Sequence, residues 1–207
     1  MPDFSYENAC GIQGLVFGLD EAGRGPWCGP VVAACVCWPD GQIPEELTHA
    51  INDSKKLSAK KREALFPKIM NSNAIVGIGQ ASAEEIDKIN ILQASFLAMK
   101  RALDMVKGKG GNPAFALIDG NKLPKWDIPM QAIIGGDAKS LSIASASIVA
   151  KVTRDHIMQD LAKEYPQYGW DKNAGYGTKA HIEALEKYGI TPHHRKTYAP
   201  IAKLLEK

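Results

Sequence analysis

The chain has 207 residues, 45% hydrophobic and 23% charged, the balance of a soluble globular protein with enough length to bury a proper core. No apolar run approaches the roughly 20 residues of a membrane helix, and Met1–Glu7 lacks the basic stretch and apolar run of a secretory signal, so a cytoplasmic protein is expected. The net charge of +2 does not announce a nucleic-acid binder, although residues 138–207 carry eleven Lys/Arg against seven Asp/Glu while residues 1–137 carry fourteen against sixteen. An ordinary solvated surface explains a difference of that size equally well.

Residues 1–13 are polar and read as a loose lead-in. Leu15–Leu19 is an apolar run ending at Asp20-Glu21, and Pro30–Trp38 is a second strand-like run, with the turn-forming Glu21–Gly29 between them. Ser58 is a plausible N-cap for a helix that places Leu65 and Ile69 on one face. Asn73–Gly79 reads as a third strand. Ile91–Val106 repeats apolar residues at helical spacing (Leu92, Phe96, Met99, Leu103, Val106), and Phe115–Ile118 and Met130–Ile134 are short bounded runs suited to buried strands. Ser142–Ala162 is a long helical candidate whose first turns are built of small residues, which lets a helix approach a sheet closely. His181–Tyr188 and Ala199–Leu205 supply later helical pieces. The sum is an α/β domain with a mixed sheet and a helical, polar last third.

The four cysteines, Cys10, Cys28, Cys35 and Cys37, lack the paired spacing of a zinc site. Cys35 and Cys37 share one face of a strand, so reduced, mostly buried thiols are expected.

Acidic residues stand at the ends of strand-like runs: Asp20 and Glu21 after the first, Asp119 after Phe115–Ile118, and Asp137 just past Met130–Ile134. Each is followed by glycine or another small residue that leaves room for a substrate. Hard divalent ions take oxygen ligands of this kind and complete their shell with water or phosphate. A single strand-end aspartate is more often a turn or cap residue, but four carboxylates brought together would repel unless cations or hydrogen bonds offset them. Adjacent side chains of a regular strand point to opposite faces. Either the first strand ends or bulges at Asp20-Glu21, or Glu21 contributes differently.

Gly18-Leu19-Asp20-Glu21-Ala22-Gly23-Arg24-Gly25-Pro26, followed by Gly29-Pro30-Val31-Val32, resembles the signature of ribonuclease HII. Further matches follow in the family's order: Asp53–Leu57, Ile118–Asn121, Gly136–Ser140, Ala144–Asp155 and Gly175–Thr178, together covering roughly residues 14–198. The resemblance implies a ribonuclease H-like fold, a five-stranded mixed sheet flanked by helices with a helical C-terminal extension. It implies a single type 2 ribonuclease H domain over residues 14–207, whose part from about 165 grips the substrate. It also implies that Asp20, Glu21, Asp119 and Asp137 are catalytic and bind Mn²⁺ or Mg²⁺. The activity implied is endonucleolytic: hydrolysis of the RNA strand of RNA-DNA hybrids and cutting 5′ of ribonucleotides embedded in duplex DNA. Two metals give 3′-hydroxyl and 5′-phosphate ends, as needed in ribonucleotide excision repair.

Only the 2′-hydroxyl separates RNA from DNA independently of sequence. Gly23-Arg24-Gly25 offers backbone groups that can approach a sugar, and Arg24 offers a planar fork for a phosphate. The family match assigns Tyr176 to stacking on the sugar that follows the ribonucleotide. Lys55, Lys56, Lys139 and Ser140 lie inside matched motifs and are candidate phosphate contacts, as are Lys179 and His181 beyond them. Arg154-Asp155 reads as a structural pair, and His193-His194-Arg195 as a basic loop near the duplex.

Ribonuclease HIII is the nearest rival, but that family typically lacks Gly-Arg-Gly after the acidic pair and carries an extra N-terminal binding domain, whereas this chain has the tripeptide and about a dozen residues before its first strand. A non-catalytic hybrid binder would be favoured by loss of a matched acid, and all four are present. No P-loop lysine follows the glycines, which removes a nucleotide kinase. A monomer is expected. A polymerase sliding clamp as partner is not supported by an evident motif in Lys203–Lys207.

Overall fold

The computed structural model describes residues 1–206; Lys207, the end of the tail considered for clamp binding, lies outside the described residues. Five strands form one mixed sheet: β1 (Leu15–Ala22), β2 (Val31–Cys37), β3 (Ile75–Ala81), β4 (Pro113–Asp119) and β5 (Met130–Ile133), in the order β3-β2-β1-β4-β5. The first three pair antiparallel, and β1–β4 and β4–β5 pair parallel. The helices are α1 (Ser5–Ala9), α2 (Glu45–Thr48), α3 (Ala59–Met70), α4 (Ala83–Gly108), α5 (Leu141–Glu164), α6 (Trp170–Asn173), α7 (Lys179–Tyr188) and α8 (Ala199–Leu205). The α/β architecture read from the sequence is therefore the one observed.

The pleat divides the core. Phe17, Leu19, Ala33, Cys35 and Cys37 pack against α4 through Ala94, Ala98, Met99 and Leu103. Ala34, Val36 and Trp38 face the other way, onto α3 and α5. Cys35 and Cys37 do share a buried face, and all four cysteines are free thiols. The small residues of α5 have the use expected of them. A Cβ placed on Gly18 would sit 2.3 Å from the backbone nitrogen of Ile143, so glycine in β1 is what lets the helix start lie against the strand.

α5 runs on past the sheet, and its far half carries a separate cluster. Met158 and Ala162 pack there with Cys28, Tyr168, Trp170, Leu185 and Ile201. This ties α6, α7 and α8 to the sheet's edge of the site. None of the described helices is long and apolar enough to cross a membrane.

Residues 1–13 differ from the loose lead-in expected. Ser5–Ala9 is helical, and Asp3 exchanges backbone hydrogen bonds with the segment entering α5. The Glu7 carboxylate accepts bonds from the Ser140 hydroxyl (2.6 Å) and the Ser142 amide (3.0 Å). An acid at the N-terminus of α5 satisfies donors that a helix leaves open there, which is the physical reason the segment is tied down.

Candidate metal centre and nucleic-acid interface

Asp20 and Glu21 lie inside β1, not at its end. Pairing with β4 stops at Leu19–Ile118, but pairing with β2 continues to Ala22–Val32. The strand stays regular, so the two acids face opposite sides of the sheet. Asp20 points to the α5 side, and Glu21 lines the α4 side with Leu92, Phe96 and Met99. The strand therefore neither ends nor bulges at this pair, and Glu21 stands on the opposite face from Asp20.

Asp119 is the last residue of β4, beside Asp20, and its Oδ1 accepts the Gly136 amide at 2.7 Å. Gly135, left-handed at φ 63°, ends the loop after β5 and turns the chain into the short 3-10 turn Gly136–Ala138, which brings Asp137 inward. Asp20, Asp119 and Asp137 thus offer carboxylate oxygens that all lie within 4.8 Å of one another. Glu21 is outside that group. Its Oε1 instead accepts from Arg24 Nη1 at 3.0 Å.

Both Asp20 and Asp137 are buried. Burial, reinforced by Glu21 and Asp119, pushes the Asp20 carboxyl well above the usual range. Burial and then Asp119 push Asp137 up. Glu21 is also raised, by burial against the opposing pull of Arg24. Among the described residues, the one cation paired with Asp137 is Lys55, 3.6 Å away on a side chain 80% exposed, too solvated to offset such a cluster. Asp137 Oδ2 is buried without a hydrogen-bond partner among the described residues. Oxygen-only donors, converging and under-compensated, with one oxygen orphaned, fit a hard divalent cation such as Mg²⁺ or Mn²⁺.

A groove of about 420 Å³ is lined by Asp20, Glu21 and Asp119 together with Gly23–Gly25, Lys55 and Tyr176. Lys55 is carried by a loop anchored from two sides. The Ser54 and Ser147 hydroxyls are 2.6 Å apart, and Arg62 of α3 donates to the carbonyls of Ser54 (2.7 Å) and Leu57 (2.6 Å). Tyr176 is half exposed, its ring edge 3.4 Å from where a Gly25 Cβ would stand.

The structure does not gather every residue singled out. Lys56 is exposed and does not line the groove, and Lys139 turns back to donate to the Ile134 carbonyl at 2.8 Å. Ser140 is fully buried as the N-cap of α5, so it is not a phosphate contact. His181 is also fully buried, and its Nδ1 donates to the Tyr176 carbonyl at 2.9 Å. Arg154 does not pair with Asp155, which binds Lys151 at 2.5 Å. Nor is His193–Arg195 an exposed basic loop: His194 and Arg195 are buried.

Two arginines, read from the sequence as a structural pair with Asp155 and as part of a basic loop, instead stand behind the groove's glycines. Arg154 lies beneath Gly23, where a Cβ would come within 2.0 Å of its Nε, and donates to the carbonyls of Cys28, Pro30 and Ala174. Arg195 donates to Gly23, Arg24 and Gly29. No local signal marks them, because the glycines they support lie more than 120 residues away in the chain.

Cys28, His181 and His194 form a second group of converging ligand types. Their hydrogen bonds leave no room for an ion. Thr191 donates its amide to His194 Nδ1 (2.9 Å), so the His194 proton sits on Nε2 and points to His181 Nε2 (3.1 Å), which also accepts from Trp170 (3.2 Å). Every ring nitrogen is occupied.

Comparison with known proteins gives a consistent set of relatives. The family model described as Ribonuclease HII matches residues 17–201. The Ribonuclease HII of Paramagnetospirillum magneticum is 51% identical over 205 residues, covering 99% of each chain. That of Magnetococcus marinus is 55% identical over 189 residues, 91% of this chain and 86% of the relative. Among solved structures, the ribonuclease H2 of Pyrococcus horikoshii superposes with a TM-score of 0.75 at 28% identity, over 93% of this chain and 97% of that one. A Bst-RNase HIII in complex with Mn²⁺ matches with a TM-score of 0.69 at 17% identity, over 93% and 69%, a likeness of fold alone.

Proposed function

The chain belongs to the ribonuclease HII family, and on that premise we propose that it hydrolyses the RNA strand of RNA-DNA hybrids and cuts 5′ of ribonucleotides embedded in duplex DNA, leaving 3′-hydroxyl and 5′-phosphate ends. It is a hydrolase, a nuclease of the ribonuclease H type. The finer reading is supported above all by the convergence of Asp20, Asp119 and Asp137 within 4.8 Å at the head of an open groove.

Asp20, Asp119 and Asp137 would hold a divalent cation, Mn²⁺ or Mg²⁺, with Glu21 serving a second from the opposite face of β1. Two such ions, when bound, supply charge to the attacking and leaving oxygens of the phosphodiester. The protein's own part is positional. The Gly136 amide fixes the Asp119 carboxylate, the amide of Glu21 fixes Asp20 at 2.7 Å, and both are set before substrate arrives. Lys55, exposed at the rim, meets a backbone phosphate. Arg24 can exchange its bond to Glu21 for a second phosphate, since its side chain is half exposed.

Gly23-Arg24-Gly25 and Tyr176 line the groove together, the tyrosine ring lying against Gly25. The tripeptide reads the ribose 2′-hydroxyl through its backbone, and the tyrosine ring packs on the following sugar. On this reading residues 14–207 act as one type 2 ribonuclease H domain, the part from about 165 gripping the duplex, and the product is a nick that ribonucleotide excision repair can use. Lys56 and Lys139 are at most peripheral phosphate contacts.

The test is a labelled duplex with one ribonucleotide, incubated with Mg²⁺, Mn²⁺ or chelator. One metal-dependent cut on the 5′ side of the ribonucleotide is expected. Cutting in chelator, or at deoxynucleotides, would end the proposal.

A further inference from the structure

The C-terminal segment supplies Arg195, which is 0% exposed and forms no ion pair with any described residue. Its guanidinium bonds the Arg24 carbonyl (2.9 Å), the Gly29 carbonyl (3.0 and 3.1 Å) and the Gly23 carbonyl. Tyr198 doubles the hold: its hydroxyl accepts from Arg195 at 2.9 Å and donates to the Arg24 carbonyl at 2.6 Å. A buried cation without a carboxylate partner is costly. This one is compensated by main-chain oxygens and the Tyr198 hydroxyl, and two of the carbonyls belong to consecutive residues of one tripeptide.

The peptide bond is planar and trans, so fixing a carbonyl on one side aims the next amide to the other. With the carbonyls of Gly23 and Arg24 held inward by Arg195, the amides of Arg24 and Gly25 turn outward. Neither amide has an acceptor among the described residues. Both residues line the groove with Tyr176.

We propose that Arg195 is a positioning residue for ribonucleotide recognition: it sets the two outward amides of Gly23-Arg24-Gly25 at the height of the ribose 2′-hydroxyl, with Tyr198 as its brace. The inference rests on reading that tripeptide as the ribose-sensing segment. Arg195 itself never touches substrate. A lysine cannot replace it, because one ammonium lacks the fork needed to span three carbonyls.

The experiment is fluorescence anisotropy of the full chain with two duplexes of one sequence, one carrying a single ribonucleotide and one all DNA, in chelator so that no cut intervenes. The wild-type protein should bind the ribonucleotide duplex more tightly. Arg195→Lys should reduce that preference about fivefold or more, the scale of one hydrogen bond, while affinity for all-DNA duplex stays within about twofold. Tyr198→Phe, which removes only the brace and keeps the half-buried ring, should reduce it in the same direction. An equal loss of affinity for both duplexes, or an unchanged preference in both variants, would make Arg195 merely structural and overturn the proposal. A wild-type protein with no ribonucleotide preference would instead overturn the tripeptide reading, and the role of Arg195 with it.

Discussion

Asp119 and Gly136 are joined across two strands: the carboxylate that closes β4 accepts, at 2.7 Å, the amide of the residue before Asp137. One bond thereby fixes the orientation of two acids. An asparagine at 119 can still accept that amide through its own oxygen, so the charge can be removed with little loss of geometry.

Asp119→Asn is therefore expected to fold normally and to lose turnover by on the order of 10²-fold or more, the scale of removing one group that stabilises charge at a reacting centre. Duplex affinity should change little. Single-turnover cleavage beside an anisotropy titration checks this. Turnover within a few-fold of wild type would remove Asp119 from the catalytic set.

The acids should also cost stability when no cation is bound. Burial raises the Asp137 carboxyl in the folded chain, so the folded state favours the protonated form and stability is lost as pH rises through that raised value. Asp137→Asn removes the cost at neutral pH, so the metal-free variant should melt higher than wild type. Loss of the Lys55 pair subtracts little, since that lysine is largely exposed. Calorimetry in chelator, repeated with Mn²⁺, reads both effects. A variant that melts lower than wild type in chelator, yet gains as much from Mn²⁺, would contradict the assignment.

Much of this was legible in the chain. Local pattern located all five strands because each is a bounded apolar run, and the matched motifs named the acids. What failed was whatever depends on partners distant in sequence. The first strand reads as ending at Leu19 because polarity changes there, whereas pairing with β2 carries it to Ala22. The helix expected from Ile91 does restart there, after Asn90 at φ 66°. A preceding turn begins at Ser82, whose capping box with Glu85 is local but lies outside the apolar repeat. His181 and Arg195 read as surface groups because their residue types usually are. Only the packing of α7 and the C-terminal loop against Cys28 and Trp170 buries them.

The buried histidines predict an acid-sensitive C-terminal part. Burial, then His181, lowers His194 to about 4, and burial also lowers His181. An unfolded chain binds the proton near 6.5. Between about 6.5 and 4 the unfolded state thus holds more protons, and stability falls as pH falls through that window. For His194 the full effect is at most about 3 kcal/mol. Melting curves from pH 7 to 4 should show the decline, and His194→Gln should flatten it. An identical slope in the variant would show that other groups carry the acid response.

Tyr176 can be divided into its ring and its support. The backbone is fixed by Tyr176 N to the Asn173 carbonyl (2.9 Å), while its carbonyl accepts from Thr178 N (2.8 Å) and His181 Nδ1 (2.9 Å). The side chain is left half exposed over Gly25. Removing the ring should leave this scaffold in place, so Tyr176→Ala should melt near wild type yet cut a lone ribonucleotide about tenfold more slowly, the scale of losing one aromatic packing contact. Tyr176→Phe keeps the apolar face and should stay within about twofold, because packing on a sugar uses the ring and not the hydroxyl. Parallel rates on a duplex with one ribonucleotide separate the two substitutions. Equal losses in both would assign the role to the hydroxyl, and an unchanged alanine variant would take Tyr176 out of the interface altogether.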